Sequence, residues 1–265
     1  MKIGVCTNFL SKDTYALHVE IFGKLASVFD FVELPAMTIG QIPEETFEQL
    51  INELTINELN CDYVTNLFPR EFSLIGDYSN TKEIENYLNN LIPRLEQIGC
   101  KGLVFGSGYA RRLPDGLNIS FGDHCMVKLI VDILLPKLEK TGMKILIEPL
   151  HPSLCNYLNT IHHAVKICKM CDSPDVGIVA DSYNLMDNNE TTEQIVKYAH
   201  HIWHVHLSEA KRKCPGNNPS KDFIKFIGAL RKAKYTGSIS MECQMSDYRE
   251  YKKNKEVCEG LFKDL

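Results

Sequence analysis

The chain has no stretch that approaches the ~20 apolar residues a membrane-spanning helix needs, and its first residues, Met-Lys-Ile-Gly-Val-Cys, lack a signal peptide's apolar run. It also lacks positive charge. With 29 Lys and Arg against 34 Asp and Glu, the formal net charge is −5, which excludes the basic footprint of a nucleic-acid binder. No Pro/Gly/Ser-rich linker, low-complexity tract or block of like charge divides it, so residues 1–265 read as one domain. Cys168 and Cys171 form one Cys-x-x-Cys, and without a second pair there is no four-thiolate zinc site. The ten cysteines are otherwise scattered. Cys6, Cys61, Cys100 and Cys243 sit in or beside apolar runs and read as reduced, small core residues. These absences point to a soluble, cytoplasmic protein whose partner is a small molecule, with no nucleic acid and no membrane.

What is present is a rhythm. Eight short apolar runs recur, at residues 2–6, 30–34, 61–67, 101–105, 143–148, 176–181, 202–207 and 237–243. Amphipathic, helix-like stretches lie between them, at 16–29, 43–59, 81–99, 123–142, 160–170, 190–199 and 220–234, with a last polar helix from Asp247. The stretch at 43–59 opens Pro-Glu-Glu, a good first helical turn with acids at the positive end of the dipole. Those at 81–99 and 123–142 end on Gly, as helix C-termini prefer. Strands alternating with helices imply parallel pairing. Eight such units in 265 residues match a single α/β (β/α)8 TIM barrel, which typically takes about 250. A doubly wound open sheet is the second architecture with this rhythm.

In a barrel the chemistry collects at the C-terminal ends of the strands. The fifth run ends at Glu148, before a Pro149 that cannot continue a sheet ladder. The sixth ends at Asp181, the seventh carries His206 near its end, and the eighth carries Glu242. Adjacent strands lie about 4.8 Å apart, so four such tips can converge on one ion. Three carboxylates and one imidazole suit a hard divalent cation, Mn²⁺ or Mg²⁺, with Co²⁺ or Zn²⁺ as substitutes. Each residue also has a plainer reading. Asp181 suits a helix N-cap, His206 a hydrogen-bonded core histidine, and Glu148 a strand-end acid facing solvent or a lysine.

The motifs Lys-Ile-Leu-Ile-Glu-Pro-Leu, Val-Ala-Asp, His-Val-His-Leu-Ser-Glu and Ser-Met-Glu resemble the sugar-phosphate isomerase/epimerase group. That group belongs to the xylose isomerase-like TIM barrels and includes the tagatose and psicose 3-epimerases. The resemblance runs along the whole chain and is most specific at the four ligand motifs. It implies that Glu148, Asp181, His206 and Glu242 hold one divalent metal, Mn²⁺ foremost. It implies that Glu148 and Glu242 face each other across a sugar and move a proton beside its carbonyl through an enediolate. It further implies a substrate-contacting Arg212 and a homodimer or homotetramer. The loop Gly-Ser-Gly-Tyr-Ala-Arg after the fourth strand resembles the group's Gly-Ser-Gly…Arg loop, where Arg111 would clamp a phosphate or carboxylate. Glu33, ending the second strand, would hydrogen-bond the sugar or support the ligands from behind.

Two positions depart from the group's pattern. Asn184 stands where the 3-epimerases usually have His, and it can bond a hydroxyl but carry no proton. Leu154 stands where they often have a second substrate-binding Glu, and His151 is expected to replace one of these groups or to act as an acid/base. A dehydratase or C-glycoside-cleaving lyase on the same scaffold is the alternative, favoured by an extra acid at His151. An endonuclease IV-like enzyme would need more His and Asp ligands than this rim supplies.

Overall fold

The computed structural model describes residues 1–10, 16–76, 81–188, 190–244 and 248–263. Eight parallel strands close into a barrel in chain order. They are β1 (Ile3–Cys6), β2 (Phe31–Pro35), β3 (Tyr63–Thr65), β4 (Gly102–Phe105), β5 (Lys144–Ile147), β6 (Val176–Asp181), β7 (Ile202–Leu207) and β8 (Ser238–Met241). Each falls within or beside an expected run, and β8 pairs with β1 to complete the ring. The open sheet is excluded.

Helices fill the crossovers as expected, with local differences. A short helix α1 (Ala36–Ile39) follows β2 directly, before α2 (Glu44–Ile56). The stretch expected at 123–142 starts earlier, as α3 (Ile119–Lys128), and widens into a π-helical turn at Leu129–Leu134 before α4 (Leu135–Leu138). Asn118 caps α3 by accepting from the Phe121 N–H at 2.9 Å, a polar start that periodicity alone does not mark. The last helix spans Tyr248–Phe262; Asp247 lies outside the described residues. No helix among the described residues is long and apolar enough to cross a membrane.

Side chains alternate across each strand. One set packs outward in the large core between strands and helices. A smaller inner cluster comprises Val104, Leu146 and Val179 with Tyr63 and Trp203 against them. Large rings fill the lower barrel because glycines face them. A Cβ at Gly4 would strike Phe31, one at Gly102 would strike Tyr63, and one at Gly177 would strike Trp203. Period two then fixes what appears above this layer. Two residues beyond Leu146 is Glu148, beyond Val179 is Asp181, beyond His204 is His206 and beyond Ser240 is Glu242. The ladder sets Asp181 level with His206, and His206 level with Ser240.

Candidate active site

The four rim residues converge. Donor atoms of Glu148, Asp181, His206 and Glu242 all lie within 4.8 Å of one another. His206 Nδ1 is 3.3 Å from Glu148 Oε1, 3.2 Å from Glu242 Oε2 and 3.8 Å from Asp181 Oδ2. Donors around one ion with bonds of about 2.0–2.2 Å are separated on this scale, so the set fits a divalent metal. Gly106 makes room for it, because a Cβ there would meet Glu148 Oε2.

Asp181 satisfies both readings of its sequence position. Its Oδ1 accepts from the Asn184 N–H at 2.7 Å and caps helix α5 (Ser182–Asp187), while Oδ2 turns into the site. His206 is fixed from behind. Its Nε2 lies 3.1 Å from Glu33 Oε1, and Glu33 Oε2 lies 3.1 Å from Nε2 of His204. The far side of His204 is held too, with Nδ1 3.0 Å from Ser238 Oγ and the ring stacked on Tyr63 at 4.0 Å. Cys6 Sγ approaches His206 Nε2 at 4.0 Å. Cys6, Glu33 and His206 also lie within ligand distance of one another, but both Glu33 oxygens are taken by imidazoles.

Arg212 reaches into the same cluster. Its Nη1 donates to Asp181 Oδ2 at 2.6 Å and to Glu242 Oε2 at 2.5 Å, and its guanidinium lies 4.6 Å from the Tyr183 ring centre. Lys211 and Arg212 both adopt positive φ, +59° and +55°, a left-handed step that lifts the guanidinium over the rim.

Burial favours the neutral form of every group here. Paired charge overrules it at His206, whose pKa Glu33, with Cys6 and Glu242, holds well above the ordinary imidazole value. It also does so at Glu33, held well below the carboxylate range by His206 and His204, and at Glu242, lowered by Arg212 and His206. At Asp181 burial wins and the carboxyl is raised, with Arg212 opposing.

A cavity of about 390 Å³ opens on this cluster. Glu148, Glu242 and Arg212 line it, whereas Asp181 and His206 do not. Its other walls come from the β1 to β5 ends, including Asn8, Asn66, Arg70, Ser107, Tyr109 and Leu154. The sequence reading missed Asn8, Asn66 and Arg70, whereas Ser107 and Tyr109 belong to the Gly-Ser-Gly loop it had singled out. Asn66 and Arg70 follow a three-residue strand, and nothing in Thr-Asn-Leu-Phe-Pro-Arg marks a site without the barrel around it.

Four expectations need correction. Arg111 is fully buried, and it donates from Nη1 to Phe105 O at 3.0 Å and from Nη2 to Glu148 O at 2.6 Å. It ties the β4 and β5 ends together and does not line the cavity. Glu33 is likewise fully buried and off the cavity wall, so of its two expected places the geometry fits support of His206 from behind and not the sugar-facing one. His151 and Asn184 sit behind the rim and do not line the cavity. His151 bonds Ser153 Oγ through Nδ1 at 2.7 Å, with Asp187 3.4 Å from Nε2, and its N–H donates to Asn184 Oδ1 at 3.0 Å. The buried Asn184 Nδ2 has no partner among the described residues.

The fourth correction concerns the thiols. Cys214 and Cys243 form a disulfide, with Cα atoms 5.1 Å apart. One follows β7 and the other β8, and adjacent strand tips bring them within bonding range. The bridge fastens the Arg212 loop to the residue after Glu242, beside a Gln244 N–H to Arg212 O bond of 2.8 Å. Thiol titration of the unfolded, unreduced protein is therefore expected to count the eight free cysteines. Ten thiols would refute the bridge. Cys243→Ser is expected to cost roughly 3–4 kcal/mol by loop entropy and to raise KM as Arg212 loosens, measured by denaturant unfolding and steady-state kinetics.

A profile of the family described as Xylose isomerase-like TIM barrel matches residues 23–261. The chain belongs to that family. A ketose 3-epimerase of Arthrobacter globiformis is 22% identical over 218 residues, spanning 81% of this chain and 73% of the relative. The crystal structure of a D-psicose 3-epimerase in the presence of D-fructose superposes with a TM-score of 0.83 at 15% identity, covering 100% of both chains. A 3-keto-D-glucoside 4-epimerase from E. coli, in its apo form, gives 0.75 at 18% identity, over 97% of this chain and 98% of that one. At these identities the structures show a shared fold.

Proposed function

We propose that the protein is a metal-dependent epimerase or isomerase of a ketose or related keto-sugar. The observation that carries the reading is the division of labour in the rim cluster. All four side chains are of metal-ligand type, yet only the two glutamates also line the cavity. A simple ion site gives no reason for that asymmetry. A proton-transfer site does, because a carboxylate that moves a substrate proton must reach substrate.

A divalent ion held by Glu148, Asp181, His206 and Glu242, with Mn²⁺ the best match to this donor set, would supply Lewis acidity toward the substrate carbonyl. The remaining work falls to the chain. One glutamate removes the proton from the carbon beside the carbonyl, giving an enediolate, and the other returns one. Arg212 steadies charge developing on oxygen and keeps Glu242 in its ionised, basic form. Asp181 and His206, both sealed from the cavity, hold without reacting. The names of the epimerases above agree with this chemistry. The lyase alternative loses its special support, since His151 is off the cavity wall and bonded to Ser153.

The test is solvent exchange. Mn²⁺-loaded protein in D₂O with a panel of ketoses, ketose phosphates and 3-keto-glucosides is expected to incorporate deuterium beside a carbonyl, followed by NMR. Absence of exchange across the panel, in protein shown to hold one ion per chain, would overturn the reading.

A further inference from the structure

Among the described residues, the cavity wall carries four charged side chains: Glu148, Glu242, Arg212 and Arg70. The first three belong to the rim cluster. There, with Asp181, three carboxylates face one guanidinium, and a divalent ion would bring that end close to neutral. Arg70 stands apart from them, after β3, among the neutral side chains of Asn8, Asn66 and Tyr109. Its guanidinium lies over the Tyr109 ring, 4.4 Å from the centre, which restrains the side chain against the wall. Among the described residues it has no carboxylate partner. A neutral sugar gives no reason for an unpaired cation here. An anionic group does, since guanidinium matches phosphate and carboxylate oxygens in pairs of hydrogen bonds.

We propose that Arg70 forms an anion subsite, so that the substrate carries a phosphate or carboxylate at the end distant from its carbonyl. The inference deepens the epimerase reading and rests on it for the orientation: carbonyl toward Glu148 and Glu242, anion toward Arg70. For a 2-ketohexose the anion then sits on C6. Arg70 is exposed at the cavity mouth, so its replacement leaves the core untouched.

The experiment is calorimetric titration of Mn²⁺-loaded protein with D-fructose, D-fructose 6-phosphate and the corresponding 6-carboxylate, repeated with Arg70→Ala and Arg70→Lys. At least one anionic sugar is expected to bind roughly ten- to hundred-fold more tightly than the neutral one. Arg70→Ala should abolish that preference, and Arg70→Lys should keep part of it. Whichever anion binds better identifies the source of the charge. Equal binding of neutral and anionic sugars, no binding of either anionic sugar, or a preference that survives in Arg70→Ala would overturn the subsite. In the last case the rim cations hold the anion. Deuterium exchange on the same samples separates the two readings. Preference without exchange removes the epimerase and leaves the subsite, whereas exchange without preference removes the subsite alone.

Discussion

Glu242→Gln is expected to remove most epimer interconversion, a loss of roughly 10²–10⁴-fold, while much of the metal binding survives. The amide keeps an oxygen for the ion. Arg212 Nη1, 2.5 Å from Oε2, orients it, because a guanidinium accepts no hydrogen bond and turns the amide oxygen toward itself. What the amide cannot do is take up a proton at neutral pH. If Glu148 and Glu242 work from opposite faces of the reacting carbon, the loss has a direction. One epimer presents its proton to the surviving Glu148 and still exchanges with D₂O, and the other does not. Glu148→Gln should reverse which epimer exchanges. Metal content by mass spectrometry, exchange by NMR and conversion by chromatography check this together. Near-full conversion in either variant would remove that glutamate from the chemistry. Exchange of both epimers in both variants would replace the two-base scheme with a single shuttling base.

The barrel was legible because its signal is repeated. Eight apolar runs at regular spacing do not depend on any one boundary, so a β3 of three residues instead of seven, or an unforeseen helix at Ala36–Ile39, changes nothing about the ring. The convergence of the rim followed from position. Once runs five to eight are strands, each acid or histidine at their tips lies on the inner face by period two.

The residues that failed were those for which sequence gives chemistry but not depth. Arg111 looked like an anion clamp because it follows a Gly-Ser-Gly loop. In the fold that loop turns back, and the guanidinium is spent on the Phe105 and Glu148 carbonyls. Arg70, which follows no motif, reaches the cavity instead. Glu33 was expected at a strand tip like Glu148, but β2 runs on to Pro35 and leaves it mid-strand, opposite Cys6 in the β1/β2 ladder. Rim height depends on barrel stagger, which no linear pattern reports. His204 was the one missed residue with a readable signal, since it precedes His206 by two and must share its face. The Cys214–Cys243 pair is joined across neighbouring strand tips, and a sequence separation of 29 hides that proximity.

Glu33→Ala is expected to be the most disruptive single change outside the rim. Glu33 is the shared acceptor for two fully buried imidazoles, at 3.1 Å each. Removing it takes the carboxylate from both, leaving His204 Nε2 only Ser240 Oγ at 3.1 Å, and opens a cavity beneath the site. A loss of about 3–5 kcal/mol follows from breaking such a buried charged network. The function suffers by a separate route. With Glu33 accepting from Nε2, a neutral His206 carries its proton there and presents the Nδ1 lone pair to the cluster of Glu148, Asp181 and Glu242. Second-layer carboxylates that fix a ligand's tautomer in this way are worth roughly 10–100-fold in metal affinity. Glu33→Gln separates the two effects. Its oxygen can still accept from one imidazole, so the fold is largely kept, but its NH₂ faces the other, which must then offer a lone pair. If that other is His206, the proton moves to Nδ1 and blocks the ion. Denaturant unfolding and Mn²⁺ titration followed by electron paramagnetic resonance measure the two quantities independently. Weakened ion binding in a stable Glu33→Gln protein is the expected result. Unchanged Mn²⁺ affinity in that protein would reduce Glu33 to a packing role.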